Sequence, residues 1–342
     1  MITDAVRHFF PGSNTGAGFV GFFEDLRSHA GRTVVLKGGP GVGKSSLMKA
    51  VGQHYEDKNA SVIYYHCSGD PDSLDAVYVP DRDFLMLDGT APHIVDPALP
   101  GAADGILNLG VCLDEKQLGS QRDSVARLTR EISGCYAQAY RYLRAAKALR
   151  EDAAAVCDAA MSRAARRAAM EELLSYLPQH GDGEERHLFA QAITWKGVLQ
   201  YVDGILAEKN VCLDVPWGFD VHSLLGGVWA AAGLRQMHRV AYHDPLDAEK
   251  LCHIQAGDTG FTTAVMMDVP TVTPQLDQQL MSRQEPRLSF DRAVHDLALN
   301  QAVEALADAK QKHDQLERYY IDAMDYGRLN AIKQEVLEEL PD

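Results

Sequence analysis

Basic residues are scarce in this sequence, and no apolar stretch approaches the length of a membrane span. The 342-residue chain has 33 Lys and Arg residues against 48 Asp and Glu residues, a formal net charge of −15 at pH 7. Because nucleic acids and anionic membranes are bound by basic surfaces, this balance disfavours both as partners. The N-terminus also lacks a basic segment leading into an apolar run, so we expect a cytoplasmic protein.

Paired cysteines are also lacking. The six cysteines form no C-x-x-C pair and show no close spacing, which is typical of a reduced intracellular protein and disfavours a disulfide framework. Hydrophobic residues make up 46% of the chain and charged residues 24%, the balance of a folded protein. The length allows two domains.

The segment LKGGPGVGKSSLM at 36–48 contains the complete motif G-x-x-x-x-G-K-[ST]. It follows TVVLK at 33–37, a predicted strand, and enters SSLMKAVGQHY at 45–55, a predicted helix. This is the context that a nucleotide phosphate-binding loop, or Walker A motif, requires, although a glycine-rich turn without a ligand would also fit. The expected nucleotide-binding residues are Gly38, Gly39, Pro40, Gly41, Val42, Gly43, Lys44, Ser45 and Ser46.

Each polar residue of the motif has an expected role. Backbone N–H groups of the loop and the positive end of the helix dipole would face the phosphates. Lys44 would contact the β- and γ-phosphates as a catalytic cation, and the Ser45 hydroxyl would bind Mg²⁺. FLMLD at 84–88 has the Walker B pattern, so Asp88 is the second expected Mg²⁺ ligand and catalytic residue. The alternative is an apolar strand that ends in a turn aspartate.

An acidic loop lies between these motifs. Ligands of parallel sheets gather beyond the carboxyl ends of the strands, so several polar residues should surround the nucleotide: His66, Cys67, Asp70, Asp72, Asp75, Thr90 and His93. Asp72 or Asp75 is the candidate for positioning water. A metal site formed by His66, Cys67 and His93 is a less favoured alternative because the spacing matches no ligand pattern.

The second half repeats the first. RHFF at 7–10 returns as RHLF at 186–189, and Leu36 corresponds to Leu213, an offset of 213 − 36 = 177. The same offset replaces the chemical residues of the loop, with these pairs: Gly38 and Val215, Pro40 and Trp217, Gly43 and Asp220, Lys44 and Val221, Ser45 and His222. The cation and the magnesium hydroxyl are lost and a carboxylate is added, so the second half should not bind nucleotide.

The same comparison also indicates which other polar residues of the first half have structural roles. His66 and Asp70 persist as His243 and Asp247 in the half without phosphate chemistry, which favours structural roles for them. The counterpart of Asp88 is ambiguous. Strict spacing gives Val265, whereas an insertion of three residues gives Asp268.

Two Ala-, Arg-, Glu- and Leu-rich segments predict long helices, one from Val125 to Val156 and one from Asp291. They are duplicated as well, at an offset of 310 − 147 = 163.

We predict an α/β fold of two tandem P-loop NTPase-like units with mainly parallel sheets, each followed by a long helical hairpin. The expected parts are 1–113, a P-loop NTPase domain; 114–183, a helical hairpin; 184–282, a degenerate P-loop-like domain; and 283–342, a C-terminal hairpin. The hairpins either pack on each other as structure or form a lever or partner surface that the nucleotide moves.

The chain resembles a bacterial family of two tandem P-loop repeats described as ATPases or nucleotide kinases of unknown role. The resemblance lies in LKGGPGVGKSSLMK, HCSGDPDSLD and LDGTAPHIVDPALPGA, with a faint second copy. Members resembling this chain often keep an intact loop in both halves, whereas here the second has degenerated. The resemblance implies ATP and Mg²⁺ as cofactors, and no N-K-x-D guanine-reading motif is present.

Three functions follow from these observations. The first is slow Mg²⁺-dependent ATP hydrolysis in the first half. The second is a kinase that phosphorylates an unknown small molecule or a nucleotide held by the acidic loop. The third is a non-enzymatic scaffold that ATP gates and that binds a protein partner through its helices. No glutamate follows Asp88, because Gly89 comes next, which keeps the scaffold hypothesis open.

Overall fold

A computed structural model describes residues 6–91, 93–178 and 183–341. The fold is α/β, as predicted, with mixed sheets of mostly parallel strands and long helices. The first α/β unit contains, in chain order, β1 (Val6–Phe9), β2 (Gly12–Thr15), β3 (Gly18–Gly21), α1 (Phe23–Ser28), β4 (Arg32–Lys37), α2 (Lys44–Glu56), β5 (Val62–His66), β6 (Leu74–Val79), β7 (Phe84–Asp88) and β8 (Gly105–Asn108).

Helices connect the two units. They are α3 (Glu115–Ser120), α4 (Arg122–Ala160) and α5 (Arg163–Ser175). The second α/β unit contains β9 (Glu185–Leu188), β10 (Gln191–Thr194), β11 (Gly197–Gln200), α6 (Val202–Ile205), β12 (Lys209–Leu213), α7 (His222–Leu234), β13 (Arg239–His243), β14 (Leu251–Ala256), β15 (Thr259–Thr262) and β16 (Thr271–Val272). The chain continues with α8 (Gln278–Ile321) and α9 (Tyr326–Glu338).

The two units share one topology. Among the described residues, the strand order is β1-β5-β6-β7-β4-β8 in the first sheet and β9-β13-β14-β15-β12-β16 in the second. In each sheet one strand, β6 or β14, runs antiparallel to its two neighbours, and the other pairings are parallel. The repeated strand order matches the internal duplication predicted from the sequence. The bounds of the four parts predicted above remain predictions.

The units meet about a local two-fold axis. Phe10 and Phe189, equivalent residues of the two halves, form an antiparallel bridge with N···O distances of 2.9 and 3.0 Å. On either side of it, Tyr201 stacks on His66 and Phe22 lies against His243, so each unit covers a histidine of the other. Because equivalent residues make equivalent contacts, the interface has the symmetry of the duplication.

The long helices pair with each other. α4 packs along α8 through small side chains, so the helices approach closely, and the buried members of this contact are Ala139, Leu143, Ala146, Ala298, Ala302, Ala305 and Leu306. We call α4 with α5 the first arm and α8 with α9 the second arm. The short helices begin at matched caps, because Ser162 accepts from the N–H of Ala165 and Asp325 accepts from the N–H of Arg328.

Each arm reaches the other unit. α5 packs against α7 of the second unit, and α9 packs against α2 of the first unit, rather than folding back along the long helix before it. Where the sequence predicted a helical hairpin in each arm, the apolar face of each short helix is buried against a sheet-covering helix, α7 or α2. Equivalent ion pairs attach the long helices, since Lys147 contacts Asp247 at 2.9 Å and Lys310 contacts Asp70 at 3.6 Å.

Candidate functional site

A glycine-rich loop, residues 38–43, connects β4 to α2. Gly38, Gly41 and Gly43 have φ angles of 145°, 71° and 92°, conformations that side-chain-bearing residues rarely adopt. Gly43 is the residue before α2, so its left-handed conformation turns the chain directly into the helix. Val42 is buried in the core, whereas Ser46 lies on the exposed side of α2. The local sequence therefore builds a compact turn of backbone at a helix N-terminus.

Lys44 folds back over this loop. Its Nζ donates to the carbonyl oxygens of Gly38 and Gly39, at 2.8 and 2.9 Å, and lies 3.5 Å from Oδ2 of Asp88. Both side chains are largely buried, with 11% of the Lys44 side chain and 14% of the Asp88 side chain exposed. A cation and a carboxylate thus lie side by side next to the loop.

The sheet register brings Asp88 there. β7 lies parallel to β4, and Asp88 stands opposite Leu36 where the two strands end. Its Oδ1 accepts from the backbone N–H and the hydroxyl of Thr90, at 2.9 and 2.6 Å, so Oδ2 is the oxygen that faces Lys44. Ser45 lies next to Lys44 at the start of α2, and its Oγ accepts the backbone N–H of Leu74 at 3.0 Å.

Asp75 is a second carboxyl group near this pair. It lies at the start of β6, and because β6 runs antiparallel, this end reaches the same edge of the sheet as Asp88. The side chain is buried, and burial raises its pKa, an effect that the nearby Asp88 adds to and that His93 and Lys44 oppose. His93 Nε2 lies 3.8 Å from Asp75 Oδ1, and the histidine ring stacks on Phe23.

The other polar residues of the acidic loop hold the structure together. His66 pairs with His8 at 2.9 Å and with the carbonyl oxygen of Pro71 at 2.8 Å. Asp70 accepts from the Ser73 hydroxyl at 2.9 Å, and exposed Asp72 pairs with Lys196 of the second unit at 2.6 Å. Of the two candidates for positioning water, Asp75 therefore lies beside Lys44 and Asp88, whereas Asp72 connects the units.

The alternative metal site does not form. Among the described residues, three ligand atoms of His, Cys, Asp or Glu come together within 4.8 Å at His313, Asp314 and Glu317 on α8, and the trio of His66, Cys67 and His93 does not meet this distance. The partners of His66 explain the difference, because both ring nitrogens already face His8 and Pro71.

The second arm covers the glycine-rich loop, which the sequence reasoning missed. A Cβ on Gly39 would collide with the ring of Tyr320, and a Cβ on Gly41 would lie 3.1 Å from Ile321 at the end of α8. A Cβ on Gly43 would lie 3.2 Å from Leu329 of α9. The offset of 163 between the arms was visible in the sequence, but a repeat pattern does not indicate which unit an arm covers.

In the second unit, the residues that replace the polar residues of the first loop make ion pairs and packing contacts. Asp220 stands where the first unit has Gly43 and forms an ion pair with Lys250 at 2.8 Å. His222 accepts the N–H of Leu251 at 3.1 Å, the contact that Ser45 makes in the first unit. A cavity of about 270 Å³ lies here between the loop and the first arm, lined by Glu151, Ala154, Ala155, Cys157, Asp158, Arg166, Phe219, Asp220, Ser223 and Lys250.

Strand register also settles which residue corresponds to Asp88. Lys209 stands opposite Thr259 and Cys212 opposite Thr262, so the next position, Thr263, falls opposite Leu213 as Asp88 falls opposite Leu36. Both sequence alternatives, Val265 and Asp268, are therefore wrong. The strand is displaced by two residues relative to the strict offset, and Asp268 lies in a bend with a φ of 60°. The second unit has no carboxylate at this position.

Comparisons with protein-family models, with curated proteins and with solved structures found no match to this chain. The family resemblance therefore stays a prediction. Within residues 6–91, 93–178 and 183–341, no helix is both long enough and apolar enough to cross a bilayer.

Proposed function

We propose that this protein is an ATP-binding P-loop NTPase that hydrolyses ATP slowly with Mg²⁺ in its first unit, while the second unit is catalytically silent. The observation that carries the proposal is the place of Lys44, whose ammonium group bridges the loop carbonyls beside Asp88 at the N-terminus of α2. A cation and the positive end of a helix at one point favour a polyphosphate there.

Lys44 would exchange its carbonyl contacts for phosphate oxygens when the nucleotide binds. There it would stabilise the charge that develops on the γ-phosphate during transfer. In the free protein the carbonyl contacts keep the ammonium beside the loop until the nucleotide replaces them.

Ser45 and Asp88 would hold Mg²⁺, because a hydroxyl and a carboxylate are the oxygen donors that this ion prefers. The Oδ2 atom of Asp88 fits this role, since Thr90 already occupies Oδ1. When bound, the ion would supply positive charge to the β- and γ-phosphates.

Asp75 would accept the proton of the attacking water. Its raised pKa makes it a stronger base than an exposed aspartate, and it lies near both Lys44 and Asp88. A comparison within the chain supports the role. At the offset of 177, Asp75 and Cys67 of the first unit correspond to Cys252 and Asp244 of the second, so the carboxyl and thiol groups are exchanged.

In the second unit, Asp244 forms an ion pair with Arg150 of α4 at 2.7 Å, which attaches the arm. The first unit thus has its carboxyl group on β6, near Lys44, and the second unit has it directly after β13, paired with the arm.

A steady-state assay with Mg·ATP tests this proposal. We expect phosphate release by the wild-type protein, its loss in Lys44→Ala, and a strong decrease in Asp88→Asn. The matched control is Val221→Ala, because Val221 holds the equivalent position in the second loop and should leave turnover unchanged. Equal turnover in wild type and Lys44→Ala would refute the proposal. Transfer to an added metabolite instead of water would indicate the kinase alternative.

The contacts of the second arm with the loop favour a second candidate, a nucleotide-gated scaffold. Tyr320 and Ile321 lie against the loop glycines, so a nucleotide there would press on the end of α8. Tight ATP binding without multiple turnover is the result that distinguishes this function from hydrolysis.

A further inference from the structure

α9 is fixed in its position over the glycine-rich loop. Leu329 is buried in the same apolar cluster as Val42 of the loop and Leu47 of α2. The cap at Asp325 sets where the helix begins, and the N–H of Asp325 donates to the carbonyl oxygen of Cys112 in the first unit at 2.8 Å. Since both its start and its buried face are held, the side chains of its next turn have defined positions.

Lys333 is one turn beyond Leu329 on the same face. Its Nζ lies 3.7 Å from the point that a Cβ on Gly43 would occupy, next to the first turn of α2. The residue is half-buried, and its ammonium makes no ion pair or hydrogen bond with any of the residues that the structure describes. Lys44 lies at the same helix end.

Asp88 balances the ammonium of Lys44, so the ammonium of Lys333 is the unbalanced one, at a helix end that already carries a partial positive charge. Burial makes the repulsion stronger, since less water screens it. The arrangement becomes favourable when an anion with several charges lies between the cations. A nucleoside polyphosphate is such an anion.

The first arm provides an internal comparison. It packs on α7 of the second unit, and at the offset of 163 Lys333 corresponds to Met170, which lies against Gly227, beyond the first turn of α7. The second loop has Val221 in place of Lys44. The first arm thus has an apolar residue in place of Lys333, and the degenerate loop has an apolar residue in place of Lys44. A different cation of the first arm, Arg166, pairs with Asp158.

We propose that Lys333 is a second phosphate-contacting cation of the nucleotide site, supplied to the first unit by the second arm. The inference rests on the proposed nucleotide binding and adds to it the element that completes the site. It also links the second arm to the ligand, because a bound polyphosphate attracts Lys333 and strengthens the contact of α9 with the loop.

The test is calorimetric titration of the full-length protein with Mg·ATP, and with AMP for comparison. Lys333→Met reproduces the residue of the first arm, and we expect it to weaken Mg·ATP binding by about tenfold, the effect of losing one charge-assisted contact. AMP, which lacks the β- and γ-phosphates, should lose less affinity. Lys333→Arg should restore most of the binding of Mg·ATP.

Lys209→Met is the control for loss of one positive charge, because Lys209 lies at the second unit and pairs there with Asp258. A wild-type affinity in Lys333→Met, with a normal circular dichroism spectrum, would overturn the inference while leaving the proposed function intact. Absence of Mg·ATP binding by the wild-type protein would instead refute the proposed function.

A second measurement needs no variant. Mg·ATP should protect the Lys333 amine of the wild-type protein from acetylation, as mass spectrometry can quantify. Unchanged acetylation at saturating Mg·ATP would contradict the inference even if Lys333→Met failed to fold.

Discussion

Phe10 and Phe189 hydrogen-bond to each other through both of their main-chain groups, at 2.9 and 3.0 Å, although they lie in different halves of the chain. Because they are equivalent residues, this bridge marks the local two-fold axis of the protein. The arms follow the same symmetry, since α9 reaches the first unit and α5 the second. One intact loop and one degenerate loop are thus each covered by the other half.

Asp75→Asn should reduce Mg·ATP turnover at least about tenfold with little change in Mg·ATP binding. The amide keeps the size of the side chain but cannot accept the proton of water, and general-base catalysis contributes roughly a hundredfold or more. Single-turnover kinetics with a parallel titration would separate the two effects. Cys252→Ser, at the equivalent position of the second unit, is the control, and an equal loss in both variants would argue against a role for Asp75.

Acid should destabilise the fold through its buried histidines. Burial lowers the pKa of His66, His243 and His253 to about 4 each, from an ordinary value of 6.5. Between these two values the unfolded chain binds more protons than the folded chain, so the free energy of unfolding falls as the pH drops from about 6.5 to about 4.

Urea unfolding across this pH window would measure the effect. His66→Gln should reduce the pH dependence relative to wild type, and His54→Gln, on α2 away from the paired histidines, is the control for removing an imidazole. A wild-type pH dependence in His66→Gln would show that burial of this ring does not contribute.

The close contact of α4 with α8 depends on small side chains. Ala146 is fully buried in this contact, whereas its neighbour Ala145 is exposed. We expect Ala146→Leu to lower the free energy of unfolding by about 1–3 kcal/mol through overpacking. Ala145→Leu should change it by less than about 0.5 kcal/mol. Similar losses in both variants, measured by urea denaturation, would contradict this packing.

Docking of α9 on the first unit depends on Leu329, which is 3% exposed. Leu329→Ala should destabilise the protein by about 2–5 kcal/mol, because a buried leucine is truncated. The control is Leu297→Ala at an exposed position of α8, which should lower the free energy of unfolding by about 0.5 kcal/mol or less. Hydrogen exchange would then show faster exchange in α9 of the Leu329 variant, and unchanged exchange there would mean that α9 is held by other contacts.

Sequence reasoning predicted the parts of the site that are local. The glycines of the loop need positive φ angles, and Asp88 ends a strand next to β4, so both features follow from short segments. It could not predict Lys333 or Leu329, because helices of 39 and 44 residues carry each arm across to the other unit. It also misplaced the counterpart of Asp88, since the two-residue displacement that gives Thr263 appears in the strand register and not in any residue pattern.

The role of Asp75 could be predicted only in part from the sequence. Its replacement by Cys252 is visible in the sequence, but its burial beside Lys44 depends on the antiparallel course of β6. Acidic loops contain many aspartates with turn roles, as Asp70 does here, so only the fold distinguishes them.

The most direct test of the account is the stoichiometry of Mg·ATP binding to the full-length protein, measured by titration calorimetry. We predict one site per chain, lost in Lys44→Ala and retained in Val221→Ala. Two sites per chain, or one site that survives Lys44→Ala, would contradict the proposal that the first loop binds nucleotide and the second does not.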